Sequence, residues 1–207
     1  MNTKLLGLIA ACALLGSTVA ADAVPYIVTL EEIGSNVVAT GKGDIDLTGL
    51  ILLGGGFEFP LVGPSDATLL TGGPAAVDVW EGTVSSLIVG PSDFGTGSLF
   101  PASVGAGAMV GVSRTAICSV ICIVVPEGFV SGHHVVDIAA YDFATFASLG
   151  VTPGTYVWGW GTGADQTFTL EIGSTPLPAA LPLFASGLAG LGLLGWRRKR
   201  KAAALAA

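Results

Sequence analysis

Positively charged residues are almost missing from the middle of this chain. Of its 207 residues, eight are lysine or arginine, and only Lys42 and Arg114 lie between residues 24 and 175. Fourteen of the fifteen carboxylates lie in the same stretch, which therefore carries a net charge of −12, against −7 for the whole chain. Such a surface keeps a protein soluble and repels phosphate groups. We therefore expect no nucleic acid partner.

Cysteine and histidine are also scarce. The middle stretch contains two cysteines, Cys118 and Cys122, and the chain's two histidines are adjacent, His133 and His134. Neighbouring residues of a strand point to opposite faces, and no second Cys/His pair stands at ligand spacing, so we expect no metal and no cofactor. In a continuous strand the two cysteines would lie about 13 Å apart, too far for a disulfide. A disulfide between them would require a turn, and both states remain open.

Long helix-forming stretches are rare before residue 179, whereas β-branched runs and glycine turns are frequent. About ten short runs recur at a spacing near ten residues, which predicts an all-β fold with a single β-sandwich or jelly-roll-like domain over residues 24–175. One helical turn is expected within Phe143–Leu149. The predicted strands are 26–31, 36–40, 45–53, 67–70, 77–85, 108–114, 117–125, 134–140, 156–160 and 168–172.

The N-terminus has the layout of a secretory signal peptide. Lys4 precedes an apolar run from Leu5 to Leu15, and small residues lead to Ala21-Asp22-Ala23. This order predicts a signal peptide over residues 1–23, with Ala21 and Ala23 at the positions that signal peptidase recognises. Cleavage after Ala20 or Ala21 is the alternative.

Cys12 offers a different interpretation of the same segment. Ile9-Ala10-Ala11-Cys12 resembles the site at which bacterial lipoproteins are cleaved and acylated. The apolar run continues through Cys12 to Leu15, as it does in an ordinary signal peptide. We therefore favour signal peptidase cleavage and keep the lipoprotein as an alternative.

The C-terminus combines an apolar run with a basic cluster. Ala179 to Trp196 is a run of 18 residues without a charge, near the lower limit for a helix that spans a bilayer. Its small residues suit helix packing in a membrane, and Trp196 stands where an interfacial aromatic would. Five consecutive cations follow, as in a positive-inside anchor: Arg197, Arg198, Lys199, Arg200 and Lys201.

Residues 176–207 resemble the PEP-CTERM sorting signal of Gram-negative bacteria. The resemblance lies in the order of three parts: a proline motif, an apolar core that includes Leu183–Gly195, and the basic cluster. The motif itself is Pro176, Leu177, Pro178, Ala179 and Ala180. Leu177 replaces the glutamate that gives the family its name, and this version looks like a known variant of the signal.

The resemblance implies a route. The chain would cross the inner membrane by its signal peptide and would be held there by the C-terminal helix. An exosortase would then cut near the proline motif, and the remainder would reach the cell surface or the medium. Proteins of this class are commonly associated with exopolysaccharide and the biofilm matrix, so exopolysaccharide is a candidate partner.

Three aromatic residues suggest a second type of function. Tyr156, Trp158 and Trp160 alternate along a predicted strand and should share one of its faces. An exposed stripe of this kind could stack on sugar rings, as in a carbohydrate-binding module. The structural alternative is that the three rings fill the core, because aromatic side chains bury large areas.

We expect no enzymatic activity. The carboxylate pairs Asp44 with Asp46 and Asp137 with Asp142 have no neighbours in the sequence that would shift one pKa against the other. The favoured hypothesis is an exported structural protein of the cell surface or matrix. Its alternatives are a carbohydrate-binding module and, last, a secreted hydrolase, which would need a cleft with converging carboxylates.

Overall fold

The protein is almost entirely β-structure over the residues that the computed structural model describes, namely 23–114, 118 and 120–173. These ranges contain thirteen strands, a 3-10 turn at Pro64–Asp66 and a short helix, α1 (Phe146–Leu149). The strands are β1 (Tyr26–Ile33), β2 (Asn36–Ile45), β3 (Leu50–Glu58), β4 (Leu61–Gly63), β5 (Thr68–Thr71), β6 (Ala75–Gly82), β7 (Phe100–Pro101), β8 (Val104–Gly107), β9 (Val110–Ser113), β10 (Cys122–Pro126), β11 (His133–Tyr141), β12 (Gly154–Gly159) and β13 (Thr167–Ile172).

The strands form two sheets, so the all-β, sandwich-like prediction is confirmed. One sheet has six strands in the order β12-β13-β1-β2-β11-β8, and the other has seven in the order β3-β6-β10-β9-β5-β4-β7. The first strand of the fold, β1, pairs in parallel with the last, β13, from Tyr26 opposite Phe168 to Leu30 opposite Ile172. The other strand pairs are antiparallel.

Alternation of side chains explains how the first hairpin builds one wall of the core. In β1, Tyr26, Val28 and Leu30 are buried, and the residues between them are partly exposed. β2 continues the alternation with Val37 and Ala39 on the buried side. The interval between the predicted strands 26–31 and 36–40 forms a turn, in which Gly34 adopts a φ of +66°, a value that favours glycine.

The core has two parts, one on each face of the seven-stranded sheet. The larger cluster includes Ile123 and Val125 of β10, together with residues of the six-stranded sheet. The smaller cluster includes Cys122 and Val124, which alternate with them and therefore face the other way. β10 is consequently buried on both faces, which explains its nearly continuous apolar sequence.

Several strand boundaries differ from the predicted ones. Residues 41–44, predicted as a link, belong to β2, where a Cβ at Gly41 or Gly43 would collide with the side chain or backbone of Tyr26. β3 begins at Leu50 rather than at 45 and includes the three glycines of 54–56. β10 begins at Cys122 rather than at 117. The strands β4, β7 and β8 were not predicted, because they are short and rich in proline or glycine.

Candidate functional site

The residues predicted to be read by the processing enzymes lie almost entirely outside the described ranges. Ala23 is exposed at the start of the first range. Ala21, the proline motif Pro176–Ala180 and the basic cluster Arg197–Lys201 lie outside it, as does the predicted membrane span. In the part of the chain that is described, no helix combines the length and apolar character needed to cross a bilayer.

The predicted aromatic stripe belongs to the core. Trp158 is 0% exposed and Trp160 is 2% exposed, while Tyr156 is half-buried against the core. The Trp158 ring packs edge-on against Phe94 and Phe168, with centroids 6.3 and 5.8 Å away. Alternation correctly predicted a shared face, but the hypothesis that this face is an exposed sugar platform is wrong for the two tryptophans. The large area of an indole ring favours burial.

The polar atoms of the three rings are bound to the backbone of neighbouring loops. Trp158 Nε1 donates to the Pro91 carbonyl at 3.0 Å, and Trp160 Nε1 donates to the Asp46 carbonyl at 2.7 Å. The Tyr156 hydroxyl donates to the carbonyl of Thr152 at 2.9 Å. These hydrogen bonds let the three rings be buried without leaving one of their own donors unsatisfied, and they occupy the indole donors of both Trp158 and Trp160.

Cys118 and Cys122 are joined by a disulfide. Their Cα atoms lie 6.0 Å apart, less than half of the separation expected in a continuous strand. The chain bends at Val120, immediately before β10 begins at Cys122. This bend supplies the turn that pairing of the two cysteines requires.

Asp137 lies at the centre of a buried polar group between the two sheets, which we call the inner carboxylate site (Tyr26, Gly41, Thr71 and Asp137). The Tyr26 hydroxyl donates to Asp137 Oδ2 at 2.5 Å. It also lies 3.5 Å from Thr71 Oγ1, on a strand of the other sheet. Thr71 in turn donates to the carbonyl of Val110 at 3.2 Å. The hydrogen bonds therefore run from β11 through β1 to the facing sheet.

Burial decides the protonation properties of the inner carboxylate site. Loss of solvent raises the pKa of Asp137, and this effect outweighs the polar contacts with Thr71, Tyr26 and the Gly41 amide, which lower it. Burial, and then the charge of Asp137, raise the pKa of Tyr26 well above its ordinary value. Tyr26 therefore remains a hydroxyl donor. A Cβ at position 41 would collide with both side chains, so this site requires glycine.

The alternation of β11 contains a signal for this site. The sequence prediction pairs Asp137 with Asp142 alone, whereas the position of Asp137 in β11 places it on the same face as Val135 and Ala139. A carboxylate in an apolar alternation indicates a buried polar group. The structure does not pair it with Asp142, whose backbone amide instead donates a hydrogen bond to Ser103 Oγ at 3.0 Å.

A second carboxylate site holds two loops together at the surface, and we call it the loop clamp (Asp46, Leu47, Thr48 and Ser131). Asp46 Oδ1 accepts from the Thr48 amide at 2.9 Å, from its hydroxyl at 2.6 Å and from Ser131 Oγ at 2.8 Å. Ser131 Oγ also accepts from the Leu47 amide at 2.8 Å. Partial burial raises the pKa of Asp46, but the hydrogen bonds from Thr48, Ser131 and Gln166 outweigh it, and the net shift is downward.

His134 makes an exposed contact beside the loop clamp. Its Nδ1 lies 2.7 Å from Asp44 Oδ1, and Asp44 Oδ2 accepts from the Val24 amide at 3.1 Å. The hydrogen bond from Val24, followed by that from His134, lowers the pKa of Asp44. Asp44 and Asp46 thus have separate partners and do not form a carboxylate pair. Among the described residues, no group of three or more His, Cys, Asp or Glu side chains is placed to hold a metal.

An apolar loop, residues 83–90, lies between two surface clefts. One cleft, of about 360 Å³, is lined by Val84, Leu87 and Val120 together with Glu81. The other, of about 700 Å³, lies between this loop and Trp160. Of the residues that the structure describes, one carboxylate, Glu81, lines the first cleft and none lines the second, so neither cleft brings together the two carboxylates that glycoside hydrolysis requires.

Comparison of this chain with protein-family models, with curated proteins and with solved structures finds no match. The geometry and the sequence are therefore the basis for inferring its function.

Proposed function

We propose that this chain is an exported structural protein of the cell surface or extracellular matrix, processed by signal peptidase and then by an exosortase. The observation that carries the proposal is the ordered series of proline motif, apolar run and five cations within residues 176–207. Before exosortase processing, the C-terminal segment would anchor the protein in the inner membrane. After processing, the protein would be on the surface or in the medium, in contact with exopolysaccharide.

The position of the strands supports processing at both ends. In the described part of the chain the strands run from Tyr26 to Ile172, so removal of residues 1–23 and of the segment from 176 onward would take none of these thirteen strands. We propose that residues 24–175 form one jelly-roll-like sandwich domain that persists after both cuts. Its net charge of −12 supports solubility after release.

We do not propose a carbohydrate-binding module on the aromatic face. That function would require rings open to solvent, and Trp158 and Trp160 are buried. A structural role is supported instead by the disulfide and by the two-part core, which need no ligand. We also propose no catalytic activity and no cofactor.

The proposal is tested by the mass and location of the protein in its host, with and without the exosortase gene. We expect the C-terminal segment to be absent from the protein only in the strain that contains the enzyme. Substitution of the five cations Arg197–Lys201 by glutamine should abolish this processing, because the positive-inside anchor is lost. The matched control replaces Lys42 and Arg114 by glutamine and should be processed normally.

Retention of the C-terminal segment in both strains would contradict the exosortase proposal and would favour a protein anchored permanently in the inner membrane. An unchanged released fraction after the five substitutions would contradict the sorting role of the basic cluster.

A further inference from the structure

The seven-stranded sheet ends in an unusually long open edge. β3 has nine residues, whereas the opposite edge of the same sheet, β7, has two. The edges of the six-stranded sheet are β8, with four residues, and β12, whose end is bridged by Val89 opposite Gly159. Within residues 23–114, 118 and 120–173, no strand pairs with the outer side of β3.

The open edge of β3 is apolar as well as long. Ile51, Leu52 and Leu53 are all exposed, as is Phe57 at the far end of the strand. Proteins usually protect an open edge with charges, proline, a β-bulge or a short strand. β3 has a bulge between Leu52 and Gly54, but it contains no proline and no charge before its last residue, Glu58. An edge of this kind binds another extended strand through its free N–H and C=O groups.

The charge distribution favours a second copy of this chain as that strand. The middle stretch is so acidic that two copies repel each other over most of their surface. Residues 47–57, however, contain no charged side chain. β3 is therefore a place where one copy can approach another with little electrostatic cost.

The sequence of β3 is also complementary to itself. Three bulky residues, Ile51-Leu52-Leu53, are followed directly by three glycines, Gly54-Gly55-Gly56. Antiparallel pairing about a two-fold axis between residues 53 and 54 places each bulky residue of one copy opposite a glycine of the other. A Cβ at Gly54 or Gly56 would meet no atom within 4 Å, so there is space for a partner's side chain at these two positions, whereas a Cβ at Gly55 would lie 2.7 Å from the Val77 carbonyl oxygen.

The faces of the strand agree with this register. A bulge between Leu52 and Gly54 shifts the alternation of β3 by one residue. Leu52 lies opposite Trp80 and Gly55 opposite Asp78, two residues further along β6, so Leu52 and Gly55 share one face of the sheet. Directly opposed residues of an antiparallel pair must share a face, and the bulge makes this possible for Leu52 of one copy and Gly55 of the other.

The same register keeps the charges at its ends apart. Glu58 of one copy would lie opposite Gly49 of the other, nine residues from the second Glu58. This corresponds to about 30 Å along the strand, well beyond the screening length of about 10 Å at 0.1 M salt.

We propose that two copies of this chain associate through antiparallel pairing of β3 with β3, which joins their seven-stranded sheets into one continuous sheet. The interface is isologous, with the Ile51–Leu53 triplet of each copy packed over the Gly54–Gly56 triplet of the other. This inference depends on the edge strand alone and not on export or processing.

The proposal is tested by disulfide trapping in the full chain, purified in detergent, with Cys12→Ser removing the remaining free thiol. Ile51→Cys in one copy should lie opposite Gly56→Cys in another. We expect mild oxidation of a mixture of the two variants to yield a cross-linked heterodimer. Ile51→Cys alone should not cross-link, because the two positions would lie about 16 Å apart in this register.

Val136→Cys mixed with Gly56→Cys is the matched control. Val136 is 58% exposed on β11 of the other sheet, compared with 47% for Ile51. We expect the Ile51–Gly56 mixture to exceed this control by about tenfold or more in cross-linked yield, the factor that corresponds to about 1.4 kcal/mol of pairing free energy. Association through the C-terminal segment would raise both yields equally and so would not imitate the result.

A charge on the edge strand should prevent the cross-linking. Leu52→Lys, added to both cysteine variants, should reduce the cross-linked yield to that of the control, because lysine on an edge opposes strand pairing. Equal yields from the Ile51–Gly56 and Val136–Gly56 mixtures would overturn the proposal, as would a yield that Leu52→Lys leaves unchanged.

Discussion

The inner carboxylate site and the loop clamp use the same chemical group in opposite ways. Asp137 is buried between the sheets, and desolvation raises its pKa. Asp46 is at the surface, and its hydrogen bonds to Thr48 and Ser131 lower its pKa. The comparison shows that hydrogen bonds alone do not set the pKa of a carboxylate. Both carboxylates accept hydrogen bonds, but Asp137 Oδ1 is buried without a hydrogen-bond partner among the described residues. Desolvation therefore dominates at Asp137, whereas the hydrogen bonds dominate at Asp46.

The largest effect should come from filling the space beside Asp137. Gly41→Ala places a Cβ against the Tyr26 hydroxyl and the Asp137 carboxylate, so the two strands must separate or the side chains must move. We expect the free energy of unfolding, measured by urea denaturation, to fall by about 3 kcal/mol. Gly159→Ala is the control, because its Cβ would lie 3.7 Å from Thr167 Cγ2, an ordinary contact. Equal losses in both variants would contradict a special role for position 41.

The pH dependence of stability should separate the two sites next. A raised pKa means that the folded state binds a proton at Asp137 more tightly than the unfolded chain does. The stability that this proton binding contributes is complete below the pKa of Asp in the unfolded chain, about 3.9. It is lost as the pH rises through the pKa of Asp137 in the folded state. The stability of the wild type relative to Asp137→Asn should therefore decrease as the pH rises through this window.

Asp46 should show the opposite sign. The lowered pKa of Asp46 contributes stability above a pH of about 3.9, the pKa of Asp in the unfolded chain. This stability is lost as the pH falls through the pKa of Asp46 in the folded state. The stability of the wild type relative to Asp46→Asn should therefore decrease on acidification. Urea denaturation between pH 3 and pH 8 measures both differences, and two differences with the same sign would contradict the comparison.

A smaller effect is expected from opening the loop clamp without changing its charge. Ser131→Ala removes the hydrogen bond to Asp46 and the one from the Leu47 amide. We expect a loss of about 1 kcal/mol in the free energy of unfolding, since Asp46 keeps its two hydrogen bonds from Thr48. Ser92→Ala, which removes only an exposed contact with the adjacent Asp93, should cost less. A loss as large as that of Gly41→Ala would mean that the clamp belongs to the core.

The smallest effect should come from the exposed pair beside the clamp. His134→Gln removes the contact with Asp44 and should cost no more than about 0.5 kcal/mol. The loss should shrink in 1 M salt, where the screening length is about 3 Å. His133→Gln is the matched neighbour and should have no salt-dependent effect. A loss that does not change with salt would rule out an electrostatic contact.

Local patterns predicted the parts of the fold that are held by neighbours in sequence. The hairpins of β1 with β2 and of β12 with β13 combine alternating side chains with glycine turns, and both are present. β7 and β8 have too little pattern of their own, since their pairing depends on strands far away in the sequence. The strand β3 was placed only in part, because its glycines resemble a loop until β6 pairs with them.

The candidate sites were harder to predict than the strands. Alternation placed Tyr156, Trp158 and Trp160 on one face, but it does not say whether that face is covered by the second sheet. The same alternation places Asp137 on the buried face of β11, but a buried site was not predicted there, because a carboxylate usually lies at the surface. Its partner Thr71 is on another sheet, 66 residues away in the sequence, where no local pattern could indicate the contact.

The parallel pairing of β1 with β13 has a mechanical consequence. The chain enters this pair at Tyr26 and leaves it at Ile172, at opposite ends of two strands that run side by side. A force that pulls the two ends apart therefore acts along the strands and in opposite directions on each. It loads the evenly spaced hydrogen bonds of the parallel pair together, in shear, rather than opening them one after another. The fold is thus arranged to resist tension between its two termini.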